Sequence, residues 1–177
     1  MESDFAMERL STRRIYEGRI LNVRVDEIEL ANGNAATFEI VEHNEGVCVI
    51  AQPEPASIVL VRQYRPATGR TLLEVPAGKL ETGEDPALAA QRELAEETGY
   101  RCDGVTKMWS FYPAPGFCSE FLHLFVAHGI RKGMPQPERD EDIAIEVTRI
   151  DDAWAMIQRG EIIDAKTQIA LSYLRTR

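Results

Sequence analysis

Glu81, Glu84, Glu93, Glu96 and Glu97 crowd into GKLETGEDPALAAQRELAEETGY, residues 78–100. Like charges three or four residues apart on a helix repel by a few tenths of a kcal/mol per pair, so either solvent screens them or a cation sits among them. Each residue of an ideal helix turns about 100°, which puts Glu97 about 40° to one side of Glu93 and Glu96 about 60° to the other. Three carboxylates sharing so narrow an arc suit a hard divalent cation such as Mg²⁺ or Mn²⁺. Arg92, four residues before Glu96, can steady that carboxylate by an ion pair. The Gly-ended run VPAG (75–78) brings backbone carbonyls close by. A solvated acidic helix face would account for the same composition.

The elements that must hold these groups are legible. Asp85 is a good N-cap, Pro86 suits the first helical position and Gly99 the position just past the end. Ala87, Ala90 and Leu94 lie on the side of this helix that can pack on a sheet. Upstream, residues 15–30 read as a strand, Asn32-Gly33 as a hairpin turn and Thr37–Val41 as the returning strand. GVCVIA (46–51), SIVLVRQY (57–64) and TLLEVPAG (71–78) read as strands, as do 108–112, 120–127 and 143–150. Two helices close the chain: one capped by Asp151 and stopped by Gly160, the other in DAKTQIALSYL (164–174). The expected fold class is α/β (α+β), a mixed sheet sandwiched between helices.

The chain has 177 residues, of which 44% are apolar, enough for one well-cored domain with a small appendage. A net charge of −9 argues against a nucleic-acid partner, which needs clustered Lys and Arg, and against an anionic membrane. Cys48, Cys102 and Cys118 lack CxxC spacing and read as reduced thiols, and no apolar run is long enough for a membrane span. These features suggest a soluble, cytoplasmic protein. His43, His123 and His128 show no metal-ligand spacing.

Gly78, Glu84, Arg92-Glu93, Leu94, Glu96-Glu97, Gly99 and Tyr100 match the signature of the Nudix hydrolases position by position, Tyr100 replacing the usual aliphatic end. With residue frequencies of roughly 5–7% per fixed position, a chance match at one site is on the order of one in a billion. The resemblance implies a loop–helix–loop holding divalent ions against a nucleoside diphosphate linked to another group. Glu93 and Glu97 would be the principal metal ligands, Glu96 would assist, and the Ala77 carbonyl would add a main-chain oxygen. Arg92 and Glu84 would orient them.

Outside the helix, the sequence resembles the ADP-ribose and ADP-sugar pyrophosphatase branch. Pro115, sixteen residues beyond Gly99 and followed by Gly116, marks it; RQYRP, LLEVPAGKLE and the late DAKT also fit. The implied organisation is an N-terminal β lobe (1–44) that pairs across a homodimer, and a Nudix domain (45–177). Arg65 matches a branch arginine that contacts phosphate. Relatives sandwich adenine between a guanidinium and an aromatic ring. Here Arg19 and Phe38 stand with the two residue types exchanged, either as such a clamp or as a solvated charge and a strand residue. The branch draws its general base from a loop that here holds Glu138, Asp140, Glu141 and Asp142; Glu141 fits best, with Glu138 next.

The implied reaction is metal-dependent hydrolysis of the diphosphate bond in ADP-ribose or a related nucleoside diphosphate sugar. Two alternatives are a GDP-mannose- or UDP-sugar-preferring hydrolase, and a non-catalytic nucleotide-sugar sensor.

Overall fold

The computed structural model describes residues 7–134 and 142–176. The chain divides into two compact units, one formed by residues up to Glu45 with Tyr112–Phe121, the other by Gly46–Phe111 with Leu122–Arg177.

The first unit is a three-stranded antiparallel meander of β1 (Glu8–Glu17), β2 (Leu21–Glu29) and β3 (Ala35–His43). The run expected as one strand from residue 15 is two strands, broken at Gly18-Arg19-Ile20. The reason is local. The Tyr16 ring folds over Gly18, where a Cβ would lie 2.5 Å from a ring carbon, and Gly18 N–H donates to Leu21 O at 3.1 Å. Asn32-Gly33 makes the second turn, with Gly33 at φ 80°. Buried Asp26 pins the register by accepting from Thr12 Oγ1 of β1 across the strands (2.6 Å), and it also accepts from Arg24 Nε on its own strand (3.0 Å). Residues 112–121 belong here because Val41 bonds on both sides to them: its N–H donates to Phe117 O and its carbonyl accepts from Ser119 N.

In the second unit β4 (Gly46–Ile50) is buried along its whole length. The remaining strands are β5 (Ser57–Arg65), β6 (Arg70–Glu74), β7 (Ala77–Lys79), β8 (Tyr100–Arg101), β9 (Gly104–Phe111), β10 (Leu122–His128), β11 (Arg131–Lys132) and β12 (Ile143–Arg149). The helices are α1 (Pro86–Thr98), α2 (Ile150–Gln158) and α3 (Ala165–Arg175). One sheet runs β7-β4-β10-β9, with β4 and β10 parallel; a second runs β12-β5-β6, and β8 pairs with β11. The single strand expected over 71–78 is divided between two sheets: β6 pairs with β5, and β7 with β4. Pro76, which has no N–H to give a ladder, sits at the break.

Alternation along β4 feeds two cores. Val47 and Val49 pack with Ala89, Ala90 and Leu94 of α1 and with Phe125, while Cys48 and Ile50 pack with Ala153 of α2, Ala170 and Leu171 of α3, and Leu124. Helices thus cover both faces of the sheet. α2 begins one residue before Asp151, which lies in the first turn and favours the helix dipole there without capping it. Gly160, at φ 72°, follows its end. Asp164 caps α3. Among the described residues no helix is long and apolar enough to cross a membrane.

Candidate active site

α1 starts where Asp85 accepts from Ala87 N (2.8 Å) and Leu88 N (3.3 Å), and stops at Gly99, in the left-handed conformation with φ 71°. Between these ends Glu93 and Glu97 are only 9% and 3% exposed. The Glu93 carboxylate rests on Gly78, where a Cβ would fall 1.9–2.3 Å from its carboxyl atoms. Gly78 has no positive φ, so glycine is required there by close approach and not by backbone conformation.

Glu97 Oε2 accepts the Ala77 N–H at 3.0 Å. Val49 N–H donates to Pro76 O, which makes the Cys48–Ala77 pair a non-hydrogen-bonded rung of the antiparallel ladder. Both polar groups of Ala77 therefore point away from β4, and its carbonyl lies on the same side as the N–H that meets Glu97.

Arg92 gathers the remaining acids. Its Nε and Nη2 donate to the two oxygens of Glu84 (2.9 and 3.0 Å), and Nη1 donates to Glu93 Oε1 (2.8 Å) and Glu96 Oε2 (2.9 Å). Nη2 also reaches Lys79 O at 3.2 Å, and Glu84 accepts from Glu81 N. The Arg92 hydrogen bonds hold the Glu84 carboxyl below the usual range, and the bonds to Glu84 are the main cause that raises the Arg92 pKa further. Glu93, Glu96 and Glu97 are not closed into a coordination shell among the described residues: two share Arg92, and the third faces Ala77. The donor set nevertheless fits a hard divalent ion. It offers only oxygen, including two nearly buried carboxylates, a half-exposed one and a carbonyl. Three carboxylates on one guanidinium leave that cluster net negative.

Beside this cluster, Arg65 ends β5 and holds Glu74 in a two-pronged pair, with Nε to Oε1 and Nη2 to Oε2 both at 2.8 Å. The pair raises the Arg65 pKa, and Glu97 is near enough to add to that effect. Glu74 is 1% exposed and also accepts from Lys166 Nζ. Burial alone would push its carboxyl up; Arg65 and Lys166 outweigh burial and hold it below the ordinary range. Lys166 in turn donates to Asp164 Oδ1 (3.0 Å), and Asp164 Oδ2 accepts from Thr167 N (2.9 Å) and Thr167 Oγ1 (2.6 Å). Thr167 Oγ1 accepts the Val75 N–H at 2.8 Å. Sequence reasoning gave Glu74, Asp164, Lys166 and Thr167 no role. The available signal was an acid inside the apolar run LLEV.

Arg19, Phe38, Pro115 and Gly116 belong to the first unit. Arg19 is exposed at the β1–β2 bend, Phe38 is 38% exposed on β3, and Pro115-Gly116 form an exposed turn. Leu21 pairs with His43 and Asp26 with Phe38, so Phe38 lies five residues, roughly 17 Å, along the strand from the end near Arg19. One chain does not bring these two residues together. Glu138, Asp140 and Glu141 lie outside the described residues; Asp142 is exposed.

Residues 42–168 match the NUDIX domain family. The chain belongs to the Nudix hydrolases. Nudix hydrolases generally require a divalent metal ion. Residues 7–41 match the nucleoside diphosphate sugar hydrolase N-terminal domain. The Nudix chain is 39% identical over 170 residues to an ADP-ribose pyrophosphatase of Bacillus subtilis (strain 168), covering 95% of this chain and 92% of that protein. It is 42% identical over 173 residues to a methanol dehydrogenase activator of Bacillus methanolicus, covering 97% and 94%. Among solved structures, an ADP compounds hydrolase superposes with a TM-score of 0.85 at 22% identity, covering 96% of this chain and 92% of that one, which is a likeness of fold.

Proposed function

We propose that this Nudix hydrolase cleaves the diphosphate of ADP-ribose or a related nucleoside diphosphate sugar, releasing a nucleoside monophosphate and a sugar phosphate. The observation that carries the reading is the Glu93 carboxylate seated on Gly78, next to the Ala77–Glu97 contact, with Arg65 in electrostatic reach of Glu97. The activity named for the Bacillus subtilis relative supports the choice of substrate class.

Glu93, Glu97 and the Ala77 carbonyl would hold Mg²⁺, with Mn²⁺ as substitute, and Glu96 would assist. When bound, such ions offset diphosphate charge and acidify a water. Arg92 keeps Glu84, Glu93 and Glu96 oriented. Arg65 spends one Nε and one Nη2 hydrogen on Glu74, and the three N–H donors left on a guanidinium suit diphosphate oxygens. Glu141, or failing it Glu138, takes the proton from water as its oxygen forms the new bond to phosphorus. The bond from that phosphorus to the bridging oxygen breaks, and the second phosphate leaves.

The β1–β2–β3 sheet is the surface for a homodimer. All ten residues of β1 are exposed, Leu10, Ile15 and Tyr16 among them, and a cavity of about 530 Å³ opens between Ile15, Val23, Val25 and Phe117. Pairing of copies there would let Arg19, Phe38, Pro115 and Gly116 serve the nucleobase and sugar across the dimer. Three cysteines held as reduced thiols suit a reducing cytoplasm.

The test is a panel of ADP-, GDP- and UDP-sugars assayed with Mg²⁺ and Mn²⁺, with products identified. ADP-ribose should be cleaved only with metal, and Glu93→Gln or Glu97→Gln should each lower kcat by about 10²-fold or more while leaving a folded protein. Binding without cleavage by the wild type would make it a sensor instead, and near-normal turnover in both variants would remove their assignment as essential ligands.

A further inference from the structure

We infer that Glu74 is a positioning residue for substrate binding: through its two-pronged pair it fixes the guanidinium of Arg65, and Lys166 and Asp164 at the start of α3 fix Glu74 in turn. This rests on the reading that Arg65 meets the diphosphate.

Glu74 is an expensive residue to bury. A carboxylate that is 1% exposed persists only where charged donors satisfy it. Its partners come from three places in the chain: Arg65 at the end of β5, Lys166 in the first turn of α3, and behind Lys166 the α3 cap Asp164. Arg65 and Lys166 against Glu74 and Asp164 make two positive and two negative charges, so the set is neutral as a whole.

The geometry is directional. Both oxygens of Glu74 are engaged by Arg65, and a planar fork held at two points cannot swivel about its Cδ–Nε bond. One edge of the guanidinium is locked inward, and with 37% of the side chain exposed the other edge can meet a ligand. An arginine lacking that lock would have to be ordered by the substrate itself, and the cost would appear in binding.

A neighbouring bond, which Glu74→Gln leaves in place, reaches the metal loop. Glu74 is followed directly by Val75, whose N–H is held by Thr167 Oγ1, and two residues later Ala77 donates to Glu97. The α3 N-terminus thereby anchors both the phosphate-binding arginine and the strand end carrying the Ala77 carbonyl.

The experiment is a double-mutant cycle on ADP-ribose hydrolysis with Mg²⁺. Glu74→Gln keeps the shape and removes the charge, and it is measured both with Arg65 present and in an Arg65→Met background. KM should rise about 10-fold or more while kcat changes less than about 3-fold. In the Arg65→Met background, where KM is already raised, adding Glu74→Gln should change KM by less than about 2-fold. Titration with Mn²⁺ alone should give a metal affinity within about 2-fold of wild type.

Should Glu74→Gln fail to fold, Glu74→Gln/Lys166→Met removes both buried charges together, the better-tolerated change, and is read in the same cycle. The inference is overturned if KM is unchanged, if it rises equally without Arg65, or if metal affinity falls in step with KM. A wild-type enzyme inert toward ADP-ribose would refute the proposed substrate and move the same cycle to whichever panel member is cleaved. If Arg65→Met leaves KM unaltered, Arg65 does not bind the diphosphate, and the role inferred for Glu74 falls with it.

Discussion

Replacing Gly78 with Ala separates activity from stability, and its consequence can be worked from one contact. A Cβ at 78 would stand 1.9 Å from the Glu93 carboxyl carbon and 2.0–2.3 Å from its oxygens. Ordinary van der Waals contact starts near 3.4 Å, so the carboxylate must withdraw by about 3.4 − 1.9 = 1.5 Å. It is the far end of a flexible side chain, so it can move without dragging the backbone. Stability should hardly change. Glycine to alanine at a permitted φ gains about 0.4–1 kcal/mol through the unfolded chain, and weakening the Arg92–Glu93 bond loses about as much. Turnover has no such compensation, because a misplacement of about 1 Å costs on the order of 10²-fold. The assay is kcat for ADP-ribose with saturating Mg²⁺ beside a thermal melt. Gly78→Ala should lose about 10²-fold in kcat with Tm within about 4 °C of wild type. Full turnover in a folded variant would refute the claim that the Glu93 carboxylate must rest on Gly78. A collapse in Tm would refute the claim that the displaced group moves freely.

Asp85→Ala removes the α1 cap and should cost about 1 kcal/mol by chemical denaturation, with kcat less affected than in Gly78→Ala. Thr167→Val strips the Val75 N–H of its buried acceptor and should cost about 2 kcal/mol, lowering Tm by about 4–8 °C; an unchanged melt would mean that N–H finds another partner. The Glu74 pKa is depressed in the folded state, so its contribution to stability is complete above the unfolded carboxyl pKa and is lost as pH falls through the folded value. Glu74→Gln should therefore flatten the acid limb of the stability–pH profile, and an acid-unfolding curve parallel to wild type would contradict this.

The acidic helix was legible because every signal in it is local. Asp85, Pro86 and Gly99 act within a turn of their own positions, and the spacing of Glu93, Glu96 and Glu97 sets their angles on any helix. Seven fixed positions sufficed for the family. The strand breaks were less legible, since whether a chain bends at Gly18 or changes sheets at Pro76 depends on which neighbour accepts its hydrogen bonds.

Two further matters were decided only by the tertiary structure. Gly78 stands fifteen positions from Glu93, and nothing in that spacing says that their atoms leave no room for a methyl group. Glu74 and Lys166 are ninety-two residues apart, in strand and helix segments whose own patterns give no reason to pair. Local geometry thus determined which groups could bind a cation. Packing between distant segments decided which carboxylates are buried, what supports them, and which way Arg65 can turn.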